Sequence, residues 1–238
     1  MMHFPSIECG ETHVWTIDLS KFALKGIDHE TLLSGDEIVR ANRFRIPELR
    51  NRFVNSRAAL RLLLADYLNS DARAFRFTYG RYGKPSLPGT PELRFNLSHA
   101  DKMMMAAFAL HREVGIDIVR KVDPADKEGI ARIVFSATEQ IAFSAVPVQG
   151  RSEAFLSIWT RKEAYIKATG GSIALHAGSF SVSVHPYEGK GEVIGNGPDK
   201  IRLCDIDAPI GFFASLAASG TNWTVMAFTN GEKLIRDR

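Results

Sequence analysis

The sequence predicts an α+β protein of two halves, each a helix packed on an antiparallel sheet. Two observations carry this: a long helical pattern followed by period-two segments occurs twice along the chain, and that order of elements is the signature of helices set against antiparallel sheets. A third is capacity. With 238 residues, 45% of them hydrophobic and 24% charged, the chain can bury a real core, which argues against a disordered or fibrous protein.

Taken in order, Val14 to Leu19 alternates as a strand. Leu32 to Arg43 reads as a helix around the turn-forming Ser34-Gly35-Asp36. After Pro47 a longer helix runs from Glu48 to Leu68, with Phe53, Leu60, Leu63, Leu64 and Tyr67 at helical spacing and its arginines assigned to the other faces. Phe75 and Phe77 then alternate with Arg76 and Thr78, and Gly80, Gly83, Pro85, Pro88 and Gly89 make a long loop. Leu93 to Ser98 is a strand with one buried face, Met103 to Leu110 a buried strand, and Val114 to Val119 a strand whose Ile116 and Ile118 share one face. Asp117 points the other way, with Gly115 and Val119. In the second half Ser152 to Thr169 is a helix ended by Gly170-Gly171, and strands follow at Phe180 to Val184, Ile201 to Cys204, Phe212 to Leu216 and Thr224 to Phe228. The halves are set at 1–113 and 114–238.

Composition excludes several functions. No apolar run approaches the ~20 residues of a bilayer-spanning helix, and Met1 to Gly10 lacks the charge pattern of a secretory signal, so a cytoplasmic protein is expected. Cys9 and Cys204 stand apart from any zinc-ligand spacing and read as reduced, structural thiols. Gly189-Lys190-Gly191 and Gly83-Lys84-Pro85 lack the remaining residues of a dinucleotide loop and a P-loop. The net charge of +3 is too small to mark a nucleic-acid binder, but it is unevenly spread: seven arginines from Arg40 to Arg61 against Glu48 alone give +6 there. Such a field suits an anionic ligand.

Chemistry is concentrated in a few acids and bases. Around the helix from Ser152 to Thr169, at ~100° per residue, Phe155, Ile158, Trp159 and Ile166 define the buried face. Glu163 and Lys167 fall one turn apart on its margin, at ~80° and ~120° from Phe155. They read either as cleft residues or as a solvated i,i+4 pair worth ~0.3–0.5 kcal/mol. Lys162 falls inside the apolar face, where an ammonium needs an anionic partner or a route to water; that favours a site. Asp117, between two isoleucines, is either a solvated edge-strand acid or a metal ligand. His99 alone reads as a loop histidine, and Lys84 as turn punctuation.

Together these segments resemble a known family. Gly83-Lys-Pro85, Phe95-Asn-Leu-Ser-His99, Val114-Gly-Ile-Asp-Ile118 and Trp159-Thr-Arg-Lys-Glu-Ala-Tyr-Ile-Lys167 are similar, in order and spacing, to the signature of the Sfp-type 4′-phosphopantetheinyl transferases. With Leu33-Ser-Gly-Asp-Glu37, Arg43-Phe44 and the Arg57 to Leu68 helix, the resemblance spans about 33–185. It implies coenzyme A bound in a cleft between two pseudo-symmetric halves, Mg²⁺ on its diphosphate, and transfer of the phosphopantetheine arm to a serine of an apo acyl or peptidyl carrier protein, with release of adenosine 3′,5′-bisphosphate. By motif position Asp117 and Glu163 would hold the metal. Glu163 and Lys167 would act in catalysis, and Arg40, Arg57, Lys84, Pro85, Ser98, His99 and Asp117 would contact the donor. A monomer is implied. One position departs from many members, which carry a second carboxylate two residues after the aspartate; here it is Val119. That departure motivates a rival, a coenzyme A binding or sensing protein without turnover. A structural α+β protein with an arginine-rich surface for an acidic partner is a third reading.

Overall fold

The computed structural model describes residues 5–22, 28–184, 193–194 and 201–229; His3, His185 and the Gly189-Lys190-Gly191 segment lie outside them. The fold is four layers deep, helix on sheet on sheet on helix. The first sheet has the order β11-β1-β5-β4, from Thr224–Thr229, Glu11–Asp18, Met103–Leu110 and Leu93–Ala100. The second has the order β6-β10-β9, from Val114–Arg120, Phe212–Ser219 and Ile201–Asp205.

Side-chain alternation sorts the layers. On β5, Met104, Ala106 and Phe108 face the long helix α2 (Pro47–Leu68) and pack with Leu60, Leu63 and Leu64. Met105, Ala107 and Ala109 face the second sheet, meeting Ile116, Ile118 and Leu216. The far side of that sheet carries Leu203 and Ala217 against Phe155, Ile158 and Ile166 of α5 (Arg151–Thr169). Period two thus serves three cores, because each sheet is covered on both faces.

The α+β class stands, with two differences in detail. The strand at 224–229, read as part of the second half, returns to the first sheet and pairs with β1 in parallel, Val14 opposite Ala227. Among the described residues the other ladders are antiparallel, β7 (Ser181–Val182) against β8 (Val193–Ile194) included, and one isolated parallel bridge joins Ile201 and Gly220. The period-two stretch from Phe75 joins a ladder only at β2 (Thr78–Tyr79), which pairs with β3 (Pro85–Ser86). Phe75 and Phe77 instead pack onto the first core.

The helix expected from Leu32 to Arg43 is shorter, a 3-10 turn at His29–Leu32 and then α1, Gly35–Ala41. Between β6 and α5 the chain forms two helices the pattern did not announce, α3 (Lys127–Val134) and α4 (Ala137–Ala145). A further short turn, α6, spans Ile173–His176. Among the described residues no helix is long and apolar enough to cross a membrane.

Candidate active site

The two sheets meet edge to edge where β4 passes β6, and side chains replace the missing ladder. Asn96 Oδ1 accepts the Ile116 N–H at 3.0 Å. On the other side of β6, α5 lies so close that a Cβ on Gly115 would sit 2.1 Å from the Ala164 carbonyl oxygen and 2.2 Å from the Ala168 nitrogen. A glycine inside a strand marks such an approach. It brings the margin of α5 over Asp117.

Asp117 is 4% exposed, which rules out the solvated edge acid even though β6 is an edge strand. Its Oδ1 accepts Lys167 Nζ at 2.6 Å and Ser98 Oγ at 2.8 Å, and Lys167 Nζ also lies 3.0 Å from Ser98 Oγ. Its Oδ2 is buried with no hydrogen-bond partner. Lys167 therefore pairs with the strand carboxylate, not with Glu163 as the solvated i,i+4 reading required. Burial raises the Glu163 pKa; Lys167 opposes that shift and the charge of Asp117 adds to it. Two carboxylates, one ammonium and one hydroxyl converge in a largely dehydrated place. An orphaned carboxylate oxygen beside a second carboxylate suits a hard cation, which takes oxygen ligands.

The opposite wall is basic. On α2 only some arginines occupy outer faces; Arg57 and Arg61 are buried, a correction to the helical reading. The β2–β3 hairpin explains it, since Phe77 lies under both guanidinium groups and Tyr79 under Arg57. Arg61 is fully used, donating to Glu37 and to the Ala72 and Phe75 carbonyls. Arg57 is not: its Nε is 3.8 Å from Glu37 Oε1 and its buried Nη1 has no partner. Arg40, exposed, shares the Phe53 ring with Arg57.

His99 lies between these walls. The residue is exposed at the end of β4, yet its imidazole is pushed below the usual range first by desolvation among its neighbours, then by the charges of Arg52, Lys167 and Arg57. Lys84 sits at the C-terminal turn of α5, its Nζ 2.7 Å from Glu113 Oε2 and 3.0 Å from the Ala168 carbonyl, and Pro85 pairs with Tyr79. A cavity of about 790 Å³ is lined by Leu49, Arg52, Asp101, Met103, Arg120 and Phe212 among others; Arg52, whose charge acts on His99, is its link to the site.

Ser98, Asp117, Glu163 and Lys167 thus form one cluster. His99 feels the charges of both Lys167 and Arg57, Arg40 neighbours Arg57 over the Phe53 ring, and Lys84 and Pro85 line a separate pocket with Glu113 and Gly170 at the end of α5. Lys162 belongs elsewhere. It has the anionic partner its apolar position demanded, Glu139 at 2.8 Å, and also donates to the Ala177 and Phe180 carbonyls, so it ties α4 to α5 and builds no site. Val119 is half-buried against the core between the second sheet and α5. Among the described residues no group of three or more His, Cys, Asp or Glu is placed to hold a metal. Both cysteines are free; Cys204 is buried, with its thiol pushed up to about 11, whereas Cys9 is exposed rather than structural.

Two positioning residues escaped the sequence reading: Asn96 and Gly115. Of these only Gly115 left a readable signal, a glycine within a strand of branched residues.

Residues 113–205 match the family model of the 4′-phosphopantetheinyl transferase superfamily. The 4′-phosphopantetheinyl transferase HetI of Nostoc sp. is 37% identical over 167 residues, 69% of this chain and 70% of that protein. The 4′-phosphopantetheinyl transferase Sfp of Bacillus subtilis is 34% identical over 193 residues, covering 76% and 84%. Among solved structures, a holo-(acyl-carrier-protein) synthase from Bacillus anthracis in complex with CoA aligns at a TM-score of 0.38 and 17% identity, over 45% of this chain and 94% of that one.

Proposed function

This chain belongs to the 4′-phosphopantetheinyl transferases, and from that premise we propose that it moves the phosphopantetheine arm of coenzyme A to a serine of an apo acyl or peptidyl carrier protein, releasing adenosine 3′,5′-bisphosphate. The observation that carries the reading is a pair of buried atoms left without hydrogen-bond partners on facing walls, Asp117 Oδ2 and Arg57 Nη1, although each group is engaged through its other atoms, Asp117 by Lys167 and Ser98 and Arg57 by Glu37 at 3.8 Å. Burying a polar atom unpaired is costly, and a metal-bearing diphosphate would satisfy both.

In this reading Asp117 and Glu163 would hold Mg²⁺, Val119 offering no third carboxylate. The ion supplies charge neutralisation on the diphosphate. Arg57, Arg40 and His99 bind the donor's phosphates, Lys84, Pro85 and Ser98 position its nucleotide end, and the cavity lined by Arg52 has room for the arm. The nucleophile comes from the partner, so no serine or cysteine of this chain attacks. Glu163, its proton affinity raised by burial, orients the carrier serine and accepts its proton. Lys167 offsets the charge that grows on the transferred phosphoryl group. The two halves, 1–113 and 114–238, each supply one side of the cleft, and we take the enzyme to act as a cytoplasmic monomer.

The test is kinetic. Arg57→Ala should raise KM for coenzyme A more than it lowers kcat, and dephospho-coenzyme A should lessen that difference if Arg57 faces the 3′-phosphate. Failure of the wild-type protein to release adenosine 3′,5′-bisphosphate when given coenzyme A, Mg²⁺ and apo carriers of the acyl and peptidyl types would overturn the reading.

A further inference from the structure

Asp117 carries one oxygen doubly engaged and one left bare, and this asymmetry has a function. Oδ1 receives the Lys167 ammonium at 2.6 Å and the Ser98 hydroxyl at 2.8 Å, while buried Oδ2 has no partner. The ammonium also touches Ser98 Oγ. Lys167 is more exposed than Asp117, at 27% against 6% of the side chain, so the amine can swing toward the cleft while the carboxylate cannot move. A dication drawn to Asp117 and Glu163 meets the Lys167 charge at contact distance, and in a dehydrated place that repulsion is weakly screened.

Resting on the functional reading above, we infer that Lys167 is an exchangeable counter-cation. It neutralises Asp117 in the free protein and transfers to the donor's diphosphate when coenzyme A enters, which opens the Asp117–Glu163 pair to the divalent ion. The donor and the metal then bind with a coupling that this chain's own lysine enforces, beyond that arising from phosphate oxygens shared with the ion. By linkage the coupling is reciprocal. The device guards the two acids from a stray divalent ion, and Ser98 serves as the pivot because its hydroxyl touches both partners.

The experiment is Mn²⁺ binding, read by the electron paramagnetic resonance signal of the free ion, to the full chain alone, with coenzyme A, and with adenosine 3′,5′-bisphosphate, which lacks the diphosphate. In the wild type, coenzyme A should tighten Mn²⁺ by tenfold or more, and the bisphosphate should do much less. Lys167→Met should tighten Mn²⁺ several-fold in the free protein and shrink the coenzyme A effect by a similar factor. Lys167→Arg, which keeps the charge, should leave free-protein affinity near wild type. Unchanged or weaker Mn²⁺ binding by free Lys167→Met, in a preparation whose wild type modifies a carrier, overturns the exchange and leaves the enzyme assignment standing. No Mn²⁺ binding in any wild-type arm together with no carrier modification overturns the functional reading itself.

Discussion

Glu163 shows how function is set at one residue against stability. Its pKa is raised, chiefly by burial, so the ionised form is disfavoured in the folded chain relative to the unfolded one. An acid shifted upward contributes stability that is complete below its ordinary pKa of 4.5 and is lost as pH rises through the folded value. Glu163→Gln is therefore expected to be at least as stable as the wild type at pH 7, with that advantage vanishing below the ordinary carboxylate range, while transfer falls by ~100-fold or more, the usual contribution of a positioned acid–base group. Thermal melts at pH 4 and pH 7 alongside kcat check both halves of this expectation. A destabilised Gln variant would mean that Glu163 is held by a favourable contact.

At the scale of elements, α5 is the part on which the outer core of the second sheet and the site both depend. Gly115 lets it touch β6, and Arg161 binds Asp205 of β9 through Nε at 2.9 Å as well as Nη2. Lys162 joins it to Glu139, the acid that also caps α4 by accepting the Ser136 N–H at 2.8 Å. Removing one partner of a buried ion pair leaves the other uncompensated, so Lys162→Ala should cost about 3–5 kcal/mol. Urea titration reads that loss, and KM for coenzyme A should stay within about twofold, since Lys162 touches no part of the cleft; a raised KM with normal stability would return it to the site.

The same elements show what was legible. Asp117 stood out as an acid in an apolar strand, a conflict with local preference of the kind that marks sites, but Glu163 and Lys167 read equally well as a solvated helix pair, and their roles came from the family resemblance. Arg57 and Arg61 were misplaced because what buries them is the β2–β3 hairpin, remote in sequence from their turn of α2. The helices α3 and α4 went unread because short helices draw their stability from tertiary packing more than from their own pattern, although Ser136 and Glu139 do spell a capping box.

For the whole molecule, the uneven charge seen in the sequence becomes a surface divided by role. Arg50 is spent on Glu30 and Asn42, Arg57 and Arg61 face inward, and Arg52 acts on His99. Arg43 and Arg45 remain exposed. A carrier of acidic surface would be steered by these last two, with kcat/KM falling as ionic strength rises past the ~10 Å screening length reached near 0.1 M salt. Arg43→Glu with Arg45→Glu should flatten that slope and Arg50→Glu should not; equal slopes in all three proteins would place the carrier on another face. The central claim is that facing walls of this cleft join a metal-bearing donor to a carrier serine. It is tested most directly by the intact mass of an apo carrier protein after incubation with coenzyme A, Mg²⁺ and either the wild type or Asp117→Ala. The account predicts a carrier heavier by one phosphopantetheine arm with the wild type and unchanged with a folded Asp117→Ala. An unmodified carrier in both, with coenzyme A still protecting the wild type against heat, would contradict it and leave a binding protein without turnover.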